Sequence, residues 1–155
     1  KQARLDYMVQ KAVEMGAGRL MPVRTQFTQI SRVNSDRLRA NAIEAAEQCG
    51  ILSLPEIAPF KRLEQVLAGW DPARRLIFCD EAAPVADPVV TLKAVQAGPL
   101  AVLIGPEGGF SADERSALLD LPHVTAISLG RRILRADTAA VAVLALVQAV
   151  ICEGR

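Results

Sequence analysis

The chain has 155 residues, of which 51% are hydrophobic, and its net charge is +1. This length predicts one α/β domain with a full core and leaves too few residues for two ordinary domains. The longest apolar stretch, which starts at Ala139, is broken by Gln148 and falls short of the roughly 18 residues that a membrane helix needs. Three cysteines without metal-ligand spacing predict reduced thiols, no bound metal and a soluble, cytoplasmic protein.

The charge is distributed unevenly along the chain. Residues 1–40 hold eight basic and three acidic residues, a net +5, whereas the remainder carries a net charge of −4. The basic end could face the phosphates of a nucleic acid. Alternatively, its arginines form only a solvated helix face and loop. The sequence leaves both interpretations open.

The first half of the chain is predicted to be mainly helical. Apolar residues at helical spacing indicate a first helix that ends at Gly16, and residues 19–24 are typical of a short strand. A second helix is expected to begin at a cap formed by Ser35 or Asp36 and to continue to residue 49.

Strands and helices alternate in the second half. Short apolar runs bounded by turn residues predict strands at residues 76–79, 100–104 and 124–129. Helices are predicted at residues 63–70, 89–96 and 139–151, and a further helix begins after Ser111, which forms a capping box with Glu114. This alternation predicts a mostly parallel sheet with helices on both faces.

Two glycine loops, residues 104–110 and 129–138, follow the last two predicted strands. Open α/β sheets bind ligands at the carboxyl ends of their strands, and glycine lets backbone amides approach a bound group. The two loops therefore predict one ligand pocket. Neither is a Walker loop, and the chain contains no G-x-G-x-x-G motif. Alternatively, the glycines serve only to make tight turns between strand and helix.

The motifs in these loops resemble those of a known family. Residues 105–111 read Gly-Pro-Glu-Gly-Gly-Phe-Ser, and residues 129–139 contain Leu-Gly, Ile-Leu-Arg and Thr-Ala in that order. Together with helical segments at residues 6–16 and 42–49, they are similar to the ribosomal RNA (uracil-N3)-methyltransferases of the SPOUT superfamily. The resemblance covers nearly the whole chain. The chain departs from the family at Asp137, where Glu is common, and at Gln26-Phe27, where many members have Glu-Arg.

The resemblance implies a SPOUT-type α/β fold with a C-terminal deep trefoil knot, and a homodimer to which the helix at residues 138–152 contributes. It also implies S-adenosylmethionine as cofactor and 16S ribosomal RNA of the small subunit as substrate. Members of the family carry an N-terminal PUA-like RNA-binding domain. We expect that domain to be absent here, with residues 1–155 forming the methyltransferase domain.

The resemblance also assigns site residues. The cofactor pocket is expected to comprise Ile104, Gly105, Pro106, Glu107, Gly108, Gly109, Leu129, Gly130, Ile133, Leu134 and Arg135. Deprotonated uracil is an anion, which an arginine would stabilise, and Arg135 is predicted to do so.

The identity of the proton acceptor is left open by the sequence. Glu107 and Asp137 are the candidates for accepting a proton or steadying the sulfonium, although Asp137 could instead cap a helix, and the site could lack a base. Arg131 and Arg132 are either phosphate contacts or solvated loop residues.

A different function class remains as an alternative. The same loops could serve a non-catalytic α/β module that binds a nucleotide or RNA. The presence of Arg135, Glu107 and both glycine loops together favours the enzyme. His123 is the sole histidine, and a catalytic triad or a histidine metal site would depend on it alone. We therefore expect a structural or exposed role for His123.

Overall fold

The computed structural model describes residues 2–84 and 86–152. The helices are α1 Gln2–Glu14, α2 Ser35–Gln48, α3 Leu63–Ala68, α4 Pro88–Lys93, α5 Ala112–Leu119 and α6 Ala136–Val147, which continues into a π-helical turn at Gln148–Cys152. The strands are β1 Arg19–Leu20, β2 Val23–Arg24, β3 Glu56–Ile57, β4 Lys61–Arg62, β5 Arg75–Cys79, β6 Leu100–Ile104 and β7 Val124–Ile127.

All strand pairs described are parallel. The central sheet has the order β6-β5-β7, and two short pairs, β1-β3 and β2-β4, lie outside it. In the central sheet Cys79 is in register with Ile104 on one side and with Ile127 on the other. The three strands therefore end together, and the loops that follow them meet at one edge. The predicted parallel α/β architecture is confirmed.

Helices cover both faces of the central sheet. Successive side chains of β5 point to opposite faces, so neighbouring residues of this strand pack against different helices. Ile77 is fully buried with apolar residues of α4 and α6. Phe78, also fully buried, packs on the other face with Leu63 of α3 and Leu118 of α5. A third apolar cluster joins α1 to α2, and α1 also contacts α6. No helix in the described residues is long and apolar enough to cross a bilayer.

Two local expectations differ from the structure. The strand predicted at residues 19–24 is divided into β1 and β2, because Pro22 cannot donate a ladder hydrogen bond and lies between them. The cap of α2 is Asn34, whose side chain accepts a hydrogen bond from the backbone N–H of Arg37, so the predicted caps Ser35 and Asp36 were wrong. Ser35 is instead the first residue of the helix.

The C-terminal helix is less uniformly buried than its composition suggests. Val143 and Val147 lie in the core, whereas Ala145 and Ala149 are exposed on the opposite side. Two exposed alanines therefore remain on the side of the helix opposite to its buried valines.

Candidate functional site

A cavity of about 280 Å³ lies where β5, β6 and β7 end. Both glycine loops line it, and the loop after β5 supplies a third wall. The parallel register brings these three loops together, as is expected for the ligand side of an α/β sheet. Clefts that hold small ligands have volumes of about 300–1,000 Å³, so this cavity is near the lower limit.

All but one of the predicted cofactor-binding residues line this cavity. The residues that do so are Ile104, Gly105, Pro106, Glu107, Gly109, Leu129, Gly130, Ile133, Leu134 and Arg135. Gly108 is not among the lining residues. A Cβ on Gly108 would lie 2.9 Å from Cβ of Phe27, so this glycine accommodates a neighbouring segment of the protein.

The first glycine loop is tightly held. Gly109 has φ of +66°, a conformation that favours glycine, and its N–H donates to the carbonyl of Pro106 at 2.9 Å. Ser111 and Glu114 form the predicted capping box at the start of α5. A Cβ on Gly105 would lie 2.7 Å from the Phe110 ring. Since that ring packs edge-on against Phe78, it has little room to move.

The second glycine loop is more open. Gly130 has φ of +109°, and a Cβ built on it would meet nothing within 4 Å. The hydroxyl of Ser128 accepts a hydrogen bond from the Gly130 N–H and donates one to the Gly130 carbonyl, both at 3.3 Å. Ile133 is 82% exposed, and Arg131 and Arg132 are also exposed. The side chains of residues 131–133 are therefore exposed to solvent.

Two of the three candidate catalytic residues line the cavity, and the third does not. Arg135 and Glu107 are exposed and line the cavity from opposite loops. Asp137 is not a lining residue. It lies in the first turn of α6 and accepts a hydrogen bond from the N–H of Thr138 at 2.9 Å, which agrees with a helix-terminal role.

The third wall was missed in the sequence analysis. Asp80 and Glu81 follow β5 and line the cavity. The Asp80 side chain is 4% exposed and forms an ion pair with Arg115 at 2.9 Å. The hydrogen bond to Asp80 raises the pKa of the Arg115 guanidinium. Two acidic residues directly after a buried apolar strand were the sequence signal for this wall.

Cys79 lines the cavity, whereas His123 does not. Burial raises the pKa of the Cys79 thiol to about 12, so this cavity residue stays protonated near neutral pH. His123 lies outside the cavity, is 8% exposed and stacks on Trp70. Within residues 2–84 and 86–152, no three His, Cys, Asp or Glu side chains are grouped as metal ligands.

The cavity combines apolar, main-chain and charged surfaces. Ile104, Leu129 and Leu134 supply apolar surface, and the glycine loops bring backbone groups close to the cavity. Charged side chains of both signs also line it, the acidic Asp80, Glu81 and Glu107 and the basic Arg115, Arg131, Arg132 and Arg135. A small molecule with an apolar part and charged groups matches this lining.

A sequence profile described as an RNA methyltransferase domain matches residues 1–148. The chain belongs to this family. The Rickettsia conorii protein named ribosomal RNA small subunit methyltransferase E is 30% identical over 149 residues, which cover 96% of this chain and 60% of that protein. A Mycobacterium bovis protein of the same name is 41% identical over 98 residues, which cover 63% of this chain and 34% of that protein. These findings confirm the family that the glycine-loop motifs resemble.

Solved structures agree in fold. A ribosomal RNA small subunit methyltransferase E from Neisseria gonorrhoeae, bound to S-adenosylmethionine, has a TM-score of 0.84 and 26% identity, covering 96% of this chain and 62% of that chain. A Legionella pneumophila protein solved with S-adenosylmethionine bound has a TM-score of 0.79 and 29% identity, covering 94% of this chain and 61% of that one.

Proposed function

We propose that this chain is the methyltransferase domain of an S-adenosylmethionine-dependent enzyme that methylates N3 of a uridine in 16S ribosomal RNA of the small subunit. The observation that carries the proposal is that both glycine loops line one cavity at the carboxyl ends of β6 and β7. Family membership and the two similar structures with bound S-adenosylmethionine support the choice of cofactor. Because the chain spans 60% of the Rickettsia protein, the activity of the whole enzyme is part of the proposal.

The residues of the cavity have distinct roles in this reaction. Uracil N3 must lose its proton before it attacks a methyl group, and the resulting charge spreads onto O2 and O4. Arg135 stabilises that anion by its fixed positive charge. Glu107 accepts the N3 proton or steadies a neighbouring positive centre, and we favour it over Asp137 because only Glu107 lines the cavity.

The cofactor would be held mainly by main-chain and apolar groups. Bound S-adenosylmethionine supplies an electrophilic methyl group on a sulfonium. Gly130, which has open space where a Cβ would lie, lets the backbone approach the adenosyl part, and Leu129 and Leu134 cover it.

Three further properties belong to the same proposal: a deep trefoil knot at the C-terminus, a homodimer and a cytoplasmic location. The exposed Ala145 of α6 and Ala149 of the π-helical turn support the dimer, because they let a second helix approach closely. Sedimentation at micromolar concentration should give the mass of a dimer, and a stable monomer would contradict this part of the proposal.

Calorimetric titration with S-adenosylmethionine tests the cofactor, and transfer of a tritiated methyl group to small ribosomal subunits tests the reaction. We expect binding by residues 1–155 but slow transfer, because a net charge of +1 gives little long-range attraction to RNA. Joining an N-terminal PUA-like domain should raise the transfer rate by positioning the RNA. Absence of cofactor binding would refute the proposal, and binding without transfer in the joined protein would favour a non-catalytic module.

A further inference from the structure

The segment from Thr25 to Thr28 is a tight, well-anchored turn between β2 and α2. The hydroxyl of Thr28 accepts a hydrogen bond from the backbone N–H of Thr25 at 2.9 Å and lies 2.9 Å from the Thr25 hydroxyl. The N–H of Thr28 donates back to the Thr25 carbonyl at 3.2 Å. Thr25 is only 6% exposed. The turn is therefore rigid at its base, with Gln26 and Phe27 at its tip.

Glu114 fixes the tip of this turn from a distant part of the sequence. One carboxylate oxygen accepts the backbone N–H of Gln26 at 2.8 Å, and the other accepts the N–H of Ser111 at 2.9 Å. Glu114 is 9% exposed, so these hydrogen bonds form in a largely desolvated position. The same side chain thus completes the capping box of α5 and holds the turn.

The turn lies directly against the first glycine loop. Cβ of Phe27 is so close to Gly108 that a Cβ there would be 2.9 Å away. The residues on either side of Gly108, Glu107 and Gly109, line the cavity. The tip of the turn is therefore adjacent to the cavity, on the outer side of its first wall.

The turn carries an exposed aromatic ring, and the segment that contains it is basic. Phe27 is 46% exposed although it is held in a rigid turn. Residues 19–34 include Arg19, which pairs with Glu56 at 3.2 Å, the exposed Arg24 and Arg32, and no acidic residue. Proteins that bind single-stranded nucleic acid combine such positive charge with aromatic rings on which bases stack. The charge of the segment matches RNA.

We propose that the turn of residues 25–28 is a platform for an unpaired base of the RNA substrate, on which Phe27 stacks, and that Glu114 is the positioning residue that holds it beside the cavity. This inference rests on the proposed function. It concerns the substrate side of the site and is independent of the cofactor contacts.

Fluorescence titration with a short oligouridine tests the platform directly. In the Phe27→Trp variant, the new indole should be quenched when a base stacks on it. The wild-type chain, whose single tryptophan is Trp70, should show no such quenching. Phe27→Leu should bind the oligonucleotide about tenfold more weakly, since loss of base–aromatic stacking has effects of this size.

Tyr7→Leu is the matched control, because Tyr7 is an aromatic residue with nearly the same exposure, 45%, on α1. This variant should keep the wild-type affinity for oligouridine. Equal affinities of the Phe27→Leu and wild-type chains would overturn the platform. The platform would also be overturned if Phe27→Leu lowered the sedimentation coefficient and left the RNA affinity unchanged. That result would show that a second copy of the chain covers Phe27.

The role of Glu114 is tested by comparing Glu114→Gln with Ser111→Ala. The two backbone N–H groups bond to different carboxylate oxygens, and in glutamine one of these oxygens becomes an NH2 donor, so one of the two hydrogen bonds is lost. Ser111→Ala removes only the hydroxyl that accepts the Glu114 N–H and leaves both hydrogen bonds of the carboxylate. Glu114→Gln should weaken oligouridine binding about tenfold without further loss when combined with Phe27→Leu, whereas Ser111→Ala should change it less than twofold.

If Glu114→Gln and Ser111→Ala lose the same amount of RNA affinity, Glu114 acts only in capping α5 and does not position the turn. Gln26→Pro, which removes the N–H that Glu114 accepts, gives a second route to the same loss. The KM for RNA should rise in Glu114→Gln while the affinity for S-adenosylmethionine stays unchanged. Because cofactor binding is measured separately, a wild-type chain that binds no S-adenosylmethionine would refute the proposed function without affecting the oligouridine result.

Discussion

The two glycine loops share a sequence pattern, a buried strand followed by glycines and a helix, yet they differ in how they are held. In the first loop, Gly105 and Gly108 leave room for Phe110 and Phe27 of the protein itself. In the second loop, Gly130 has a positive φ and open space around it. The first loop is thus a packed wall, whereas the second is free to adapt to a ligand.

The helices that follow the loops show the same contrast. Ser111 caps α5 through a complete capping box, but Arg135 occupies the N-cap position of α6 and makes no side-chain cap hydrogen bond. A basic residue at a helix N-terminus is unfavourable, because the helix dipole is positive there. A position that is unfavourable for stability and lines the cavity is typical of a functional residue. The comparison therefore favours a functional role for Arg135 and a packing role for Gly105 and Gly108.

The largest expected effect is that of Arg135→Ala in the second loop. Removing a group that stabilises a developing anion slows catalysis by about 10²–10³-fold, so methyl transfer should fall by that amount. The stability of the domain should not fall, because the exposed Arg135 makes no capping bond. Tritiated methyl transfer by the chain joined to an N-terminal PUA-like domain measures the rate, and calorimetry should show unchanged cofactor affinity. A wild-type rate would remove Arg135 from the mechanism.

The next effect is that of Gly130→Ala on cofactor binding. A residue with a Cβ at a φ of +109° is strained by about 1–3 kcal/mol. Because a Cβ on Gly130 would meet nothing within 4 Å, the backbone there should relieve the strain by moving, which preserves the fold and deforms the cavity. We expect about tenfold weaker binding of S-adenosylmethionine with a small change in melting temperature. Unchanged affinity would show that this loop does not shape the pocket.

Gly105→Ala should act in the opposite way in the first loop. Its Cβ would lie 2.7 Å from a Phe110 ring that Phe78 holds in place, so the variant is overpacked by about 1–3 kcal/mol. Urea unfolding should detect this loss of stability. The double variant Gly105→Ala/Phe110→Leu should be more stable than the sum of the two single changes predicts, because the smaller side chain makes room. Additive losses would argue against the clash.

The same contrast explains what the sequence could predict. The capping box at Ser111 depends on residues three apart, and the parallel architecture depends on apolar periodicity, so both were predicted correctly. The hydrogen bond from Gln26 to Glu114 joins residues 88 apart, and the ion pair of Asp80 with Arg115 joins residues 35 apart. No local pattern encodes such contacts. They depend on how the loops meet at the sheet edge.

The smallest expected effect concerns Arg131 and Arg132, which are exposed on the second loop. If these arginines contact phosphates, each substitution by Ala should weaken RNA binding a few-fold. It should also lower the magnitude of the slope of log K against log salt by about 0.7, which is the value for one phosphate contact on single-stranded RNA. Arg4→Ala, at an exposed position on α1, is the control and should leave the slope unchanged. If both loop variants show the slope of the wild type, Arg131 and Arg132 are solvated residues that do not contact phosphates. Arg135 would then be the one arginine of the second loop with a proposed role toward RNA.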